Sequence, residues 1–164
     1  MATTEVRALL SVIASVTPAS PRIGALLASL SVSTDGEKWT SGNGSGQADT
    51  VYIASGSLTS GGSVSYNTLA AGALLDIDKA TVDLDELKGI MVVCLTGSIK
   101  VDAPAANFAP FFGTASDFIP LTAGECWVRT FGAVGRDVQT NSKWDIVETA
   151  SSNATYTILF WGAS

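Results

Sequence analysis

The sequence predicts an all-β chain, an antiparallel β-sandwich or jelly roll with an N-terminal extended arm or extra strand pair. Three observations predict it. After about residue 47, β-branched and aromatic runs are separated again and again by Gly, Ser, Asn or Pro, which is the rhythm of short strands joined by turns. Only residues 81–88 (TVDLDELK) hint at a short helical turn. The composition, 46% hydrophobic and 15% charged over 164 residues, is that of a chain able to bury a core rather than of a disordered one.

Taken in order, residues 4–16 and 22–34 read as two apolar strands joined by TPASPR, where Pro18 and Pro21 fix φ. In the second, Leu26, Ala28, Leu30 and Val32 alternate with Ser29, Ser31 and Ser33, a period of two. The segment from Asp35 to Gly46 (DGEKWTSGNGSG) has the composition of a flexible loop or linker. The chain therefore divides into an arm with its linker, residues 1–46, and a sandwich, residues 47–164. Within the sandwich, strands are expected at 49–59, 62–69, 88–95, 98–103, 117–121, 125–131, 136–140, 143–149 and 154–162, a number that suits a jelly roll. The last carries Tyr156, Ile158 and Phe160 on one face and Thr155, Thr157, Leu159 and Trp161 on the other. With both faces partly apolar, it belongs at the centre of a sheet or against a neighbouring subunit.

Charge and composition exclude several function classes. A net charge of −6, with nine basic residues scattered singly, argues against nucleic-acid binding, which depends on clustered cations releasing counterions. No apolar stretch reaches the roughly 18–20 residues that span a bilayer, so no membrane insertion is expected. Ala8 to Val16 has the length of a secretory hydrophobic region, but Glu5 offsets Arg7 and the following small residues run into Pro18 and Pro21. The two Asn-x-Ser/Thr sequons, at Asn43 and Asn153, therefore carry no weight.

The chain contains no histidine, and with it no ordinary general base or imidazole ligand. Gly-x-Ser-x-Gly is absent, and GNGSG lacks the Lys-Ser/Thr ending of a phosphate loop. Asp76 and Asp78 would share a strand face, with Asp83, Asp85 and Glu86 close behind. Such oxygen-rich clusters can hold calcium, although EF-hand spacing is missing and the bland reading is a solvated rim. Cys94 and Cys126 lie in two candidate strands that could be neighbours and read as buried, reduced thiols. No catalytic residue, metal or cofactor is expected. Trp127, Trp144 and Trp161 sit inside apolar strand patterns and read as core or subunit-interface residues. Trp39 stands in a glycine-rich loop with no obvious core and reads as an anchor for a partner's pocket. Arg22, beside the arm, joins Trp39 and Trp161 as the candidate interface residues.

The segments SGQADTVYIASGSLTSGGSVSYNTL, VDLDELKGIMVVCLTGSIKV and NFAPFFGTASDFIPLTAGECWVRT, with the closing NATYTIL strand, resemble small jelly-roll structural proteins of tailed bacteriophages. In that group a Gly-x-Ala-Asp lead-in precedes the first strand and a leucine-rich segment introduces a later one. A Phe-x-x-x-Phe-Gly loop and a Pro-Leu-x-x-Gly-Gly-like turn then come before a terminal strand of alternating Tyr and Ile. The corresponding positions are Gln47-Ala48-Asp49, Leu84 to Val93, Phe108 to Gly113, and Pro120 to Gly124. Gln47 replaces a small residue, Glu125 follows a single Gly124, and the first 44 residues fall outside the pattern.

What the resemblance implies is a head decoration, or cement, protein made in the host cytoplasm. It would sit as a homotrimer on the outer capsid surface, bound to the major capsid protein, and resist internal DNA pressure. Residues 1–34 would then be an arm that pairs with a neighbour's sheet edge, or two strands that complete the chain's own sheet. The alternative function is a carbohydrate-binding or fibre-tip module of similar fold, which requires exposed, coplanar aromatics. A third reading, an enzyme built on Asp76 and Asp83, would need carboxylates facing each other across a cleft.

Overall fold

The computed structural model describes residues 6–8, 12–14, 38–76 and 79–164. The N-terminal strands are β1 (Val6–Ala8), β2 (Val12–Ala14) and β3 (Lys38–Ser41), followed by β4 (Gln47–Ala48). The sandwich strands are β5 (Thr50–Leu58), β6 (Ser63–Asn67), β7 (Glu86–Thr96), β8 (Ser98–Asp102), β9 (Phe118–Thr122), β10 (Cys126–Thr130), β11 (Arg136–Asp137), β12 (Lys143–Glu148) and β13 (Ala154–Ala163). Each coincides with an expected run, because turn residues such as Gly61, Gly97, Gly124 and Asn153 sit between the ladders.

One sheet runs β10-β7-β13-β5, with β11 pairing the start of β7, and the other runs β6-β12-β8-β9. Successive strands pass between them: β5 to β6, β6 to β7, β7 to β8, β9 to β10 and β12 to β13 each change sheet. Every ladder of the two sheets is antiparallel. This nesting is the jelly roll. β13 is central, paired on one side with β5 and on the other with β7, as its two apolar faces require.

Period two directs the core. Tyr52 and Ala54 of β5, Ile90, Val92 and Cys94 of β7, and Tyr156, Ile158 and Phe160 of β13 face inward. They meet Val64 and Tyr66, Trp144 and Ile146, Ile99 and Val101, and Leu121 from the second sheet. That second sheet is wet outside, where Ser65 bonds Asp145 at 2.6 Å and Lys100 pairs with Asp102 at 2.6 Å. The first sheet is apolar on its outside as well, with a second cluster of Val51, Met91, Val93, Leu159 and Trp161.

Three expectations are corrected. Residues 81–88 form no helical turn. Val82 and Leu84 are buried while Asp83 and Asp85 are exposed, so the backbone is extended with period two, and the single 3-10 turn among the described residues is Ala70–Gly72. The run 4–16 contains two strands rather than one, because β1 and β2 pair antiparallel with Val6 opposite Ala14. The glycine-rich linker contains a strand, β3, and its Trp39 is buried. The second expected N-terminal strand, 22–34, lies outside the described residues.

Candidate functional site

A sheet with core on one face and hydrocarbon on the other needs a cover on the second face. The outer face of the β10-β7-β13-β5 sheet is ordered in rows. Val51 stands opposite Trp161 and Trp161 opposite Gly89, while in the next row Ile53, Leu159, Met91 and Val128 follow across four strands. Trp39, carried by β3, closes over one end of this face together with Ala48. Its ring centroid lies 5.4 Å from that of Trp161 in an edge-to-face arrangement at 67°, a geometry that adds about 0.5–1.5 kcal/mol beyond area burial.

Gly89 makes the seat. A Cβ there would lie 2.2 Å from the Trp161 indole, so only glycine leaves room for that ring over β7. Both indole N–H groups are buried without a hydrogen-bond partner, an arrangement that costs about 1–3 kcal/mol each and is offset by the large apolar area the rings bury.

β3 joins two bodies of β-structure. It pairs with β1 on one side, Val6 opposite Trp39 and Arg7 opposite Lys38, and parallel with β4 on the other, Thr40 opposite Gln47. The intervening loop is clipped by Gln47, whose N–H donates to Gly44 O at 3.0 Å and whose side-chain Oε1 accepts from Gly44 N at 2.9 Å. The Trp39 ring is thereby one tie between the N-terminal strand pair and the sandwich.

The candidate interface residues fall as follows. Arg22 lies outside the described residues. Trp39, expected in a loop with no core of its own, is instead 0% exposed, and Trp161 is 2% exposed. They are each other's partners within this chain, since the apolar outer face of the sheet supplies the core that the loop composition concealed. Trp144 is buried against Tyr66, Phe111 and Phe160, and Trp127 packs half-buried on Phe111 at 5.5 Å.

The acids hold their own loops together. Asp76 accepts from Ala80 N at 2.8 Å, Asp83 from Ala70 N at 3.0 Å, and Asp85 from Gln139 Nε2 at 2.8 Å. Glu86 pairs with Lys88, and Asp78 lies outside the described residues. Among the described residues, no three His, Cys, Asp or Glu side chains are grouped to hold a metal ion.

The strands bearing the two cysteines are neighbours, as expected, but the expectation of two buried thiols is corrected. Cys94 is buried and Cys126 is exposed near the sandwich edge. Cys126 stands opposite Val93, on the outer face, while Cys94 belongs to the inner core, so the two thiols lie on opposite faces of one sheet. Burial foremost pushes the Cys94 thiol above its ordinary range, and partial desolvation by its neighbours on the outer face pushes the Cys126 thiol the same way although its surface is exposed.

Sequence reasoning missed Glu148, Lys88 and Gly89. Glu148 is 4% exposed and accepts from the N–H groups of Gly61 at 2.7 Å, Ala150 at 2.5 Å and Ser152 at 3.2 Å. The Gly61 N–H foremost holds its carboxyl below the usual carboxylate range, against the opposing effect of burial. Lys88 and Gly89 interrupt the apolar run ELKGIMVVCL, and a cation and a glycine inside a central strand are the signal that could have found them.

No protein-family model matches this chain, and no curated protein matches it. Among solved structures, it is similar to Peruvianin-I, a cysteine peptidase from Thevetia peruviana latex, at 16% identity and a TM-score of 0.39 over 68% of this chain and 50% of that one. The chain thus spans half the length of that relative. It is similar to a cupin-superfamily protein of Desulfitobacterium hafniense DCB-2, at 11% identity and a TM-score of 0.38 over 71% of each chain. Tobacco streak virus coat protein is similar at 9% identity and a TM-score of 0.35, over 71% of this chain and 88% of that one. The fold itself rests on the strand order and pairing described above.

Proposed function

We propose that this chain is a non-enzymatic structural protein of a phage virion, which decorates the outer capsid surface by binding the major capsid protein as a homotrimer. The observation that carries the reading is the pairing of a filled jelly roll with a docked N-terminal β-segment. The space between the sheets, where larger barrels hold ligands, is occupied by Tyr52, Tyr66, Phe111, Trp144, Tyr156 and Phe160. The two-faced sheet and the strands fastened through Trp39 are the parts that an interlocking protein uses. In such an assembly Trp39 and Trp161 meet a partner where β3 of a neighbouring copy takes the place of this chain's own, an exchange of identical elements. The resemblance of residues 45–162 to phage decoration proteins supports the same reading.

The carbohydrate-binding alternative draws less support. Its coplanar tryptophan platform would need rings that here are buried or, at Trp127, half-buried against Phe111, and the large apolar side chains exposed among the described residues are Leu75, Leu95, Phe118 and Val134. The test is native mass at micromolar concentration together with co-sedimentation on capsids stripped of their decoration. Trimers that saturate the capsid are expected. A monomer that ignores capsids but is retained on a glycan array would overturn the proposal.

A further inference from the structure

β7 and β13 lose register beside the tryptophan pair. Trp161 stands opposite Gly89 and Gly162 opposite Leu87, so Lys88 is an extra residue with no counterpart on β13. A bulge of this kind releases a side chain from the in-and-out alternation of the strand and re-aims it. Lys88 is 0% exposed. An ammonium in such a position is tolerated only when its three donors are satisfied. They are: Nζ donates to Val134 O at 2.6 Å, to Ala133 O at 3.2 Å and to the Glu86 carboxylate.

The loop that supplies the two carbonyls is shaped around the lysine. Phe131 N donates to Lys88 O at 3.0 Å, and Gly135, at φ +83°, leaves room where a Cβ would lie 2.8 Å from Lys88 Cδ. The same loop holds the N-terminal β-segment. Ala133 O accepts a second hydrogen bond from Gly46 N at 2.8 Å, and Gly46 O accepts from Thr40 N at 3.0 Å. Thr40 follows Trp39 in β3, the strand that carries β1 and β2.

From this continuous path, Lys88 to Ala133 to Gly46 to Thr40, we infer that Lys88 is the latch of the N-terminal β-segment. Its ammonium fixes the 131–135 loop in the one position from which Ala133 can hold the β3–β4 loop, and so keeps Trp39 seated on Trp161. This goes beyond the virion reading and does not depend on it, because every contact lies within one chain. The latch acts with the tryptophan pair, the ring supplying apolar cover and the ammonium supplying position.

The experiment is tryptic cleavage of the full chain, followed by intact mass. Cutting after Lys38 reports release of β3, and cutting after Lys100 and Lys143 reports opening of the sandwich. In Lys88→Met the Lys38 cut is expected to speed up about tenfold, as a local opening does, with the two sandwich cuts unchanged. An unchanged Lys38 rate overturns the inference. So does a rise at all three sites in step, which would make Lys88 a general core residue. If Lys88→Met does not fold, Glu86→Ala decides: faster cutting after Lys38 alone supports the latch, and an unchanged rate overturns it.

Discussion

The phenol oxygens of Tyr66 and Tyr156 lie 2.8 Å apart in the interior, one from each sheet of the sandwich. The bond crosses the core from β6 to β13, and Gly56 makes space for it, since a Cβ there would lie 2.4 Å from the Tyr156 hydroxyl. Removing one hydroxyl strands the other in an apolar setting. Tyr156→Phe is therefore expected to cost about 1–3 kcal/mol, and the double change with Tyr66→Phe less than the sum of the two. Urea titrations of the four proteins check it.

Burial, joined by the hydrogen bond to Tyr156, pushes the Tyr66 phenol far above its ordinary value, and burial raises Tyr156 and Tyr52 as well. In the folded chain these phenols give up their protons less readily than in the unfolded one. Their contribution to stability is complete below the unfolded value of about 10 and is lost as pH rises beyond it. The urea midpoint is expected to fall more steeply between pH 9.5 and 11 than in Tyr66→Phe/Tyr156→Phe.

Glu148 gives the opposite dependence. Its folded carboxyl is held low by the Gly61 N–H and its neighbours, so its contribution is present above the unfolded value of about 4.3 and disappears as pH falls through the folded one. Asp117, held low by the Thr114 hydroxyl and the N–H groups of Thr114 and Gly113, acts with the same sign. Glu148→Gln should flatten the loss of thermal stability between pH 5 and 3, and an unaltered slope would remove Glu148 from the account.

Gly89→Ala places a methyl group against the Trp161 indole. The ring has to move, which also unseats Trp39, at an expected cost of about 1–3 kcal/mol. Trp39→Ala leaves the sandwich folded but opens the outer face, and amide hydrogen exchange should accelerate in β1 and β3 while protection across β8 and β12 is kept.

Cys126 is expected to react with a disulfide reagent in the native state, slowly because its thiol is raised, while Cys94 reacts only on unfolding. Oxidation should give no intramolecular bridge, because the thiols are on opposite faces of the sheet and the Cβ atoms of a disulfide lie about 3.5–4.5 Å apart. Mass spectrometry under non-reducing conditions tests this.

The sandwich was legible because period two and turn residues act locally. Tyr156, Ile158 and Phe160 declare their face within one strand, and Gly61, Gly97, Gly124 and Asn153 mark where strands stop. The helical hint at 81–88 failed because Val82 and Leu84 answer to the core rather than to the local preference of Asp85 and Glu86. The cover over Trp39 was hidden for the reverse reason: composition describes the loop around it, whereas its burial depends on Met91, Leu159 and Trp161, far along the chain. Lys88 was invisible as a fastening because the carbonyls it meets belong to a loop some 45 residues away.

The central position of β13 also sets a timetable. Among the described residues, β5 finds its ladder partner in residues 154–162, about one hundred positions downstream, and β7 is likewise bound along its length by β13. Long-range pairing of this kind makes folding slow. On the ribosome, β5 and β7 emerge with their apolar faces bare and must wait for the strand that joins them. The uncharged run TVYIASGSL is then the stretch most exposed to mispairing with other nascent copies, and yield on expression should respond to temperature and chaperone supply more than to changes on the finished surface.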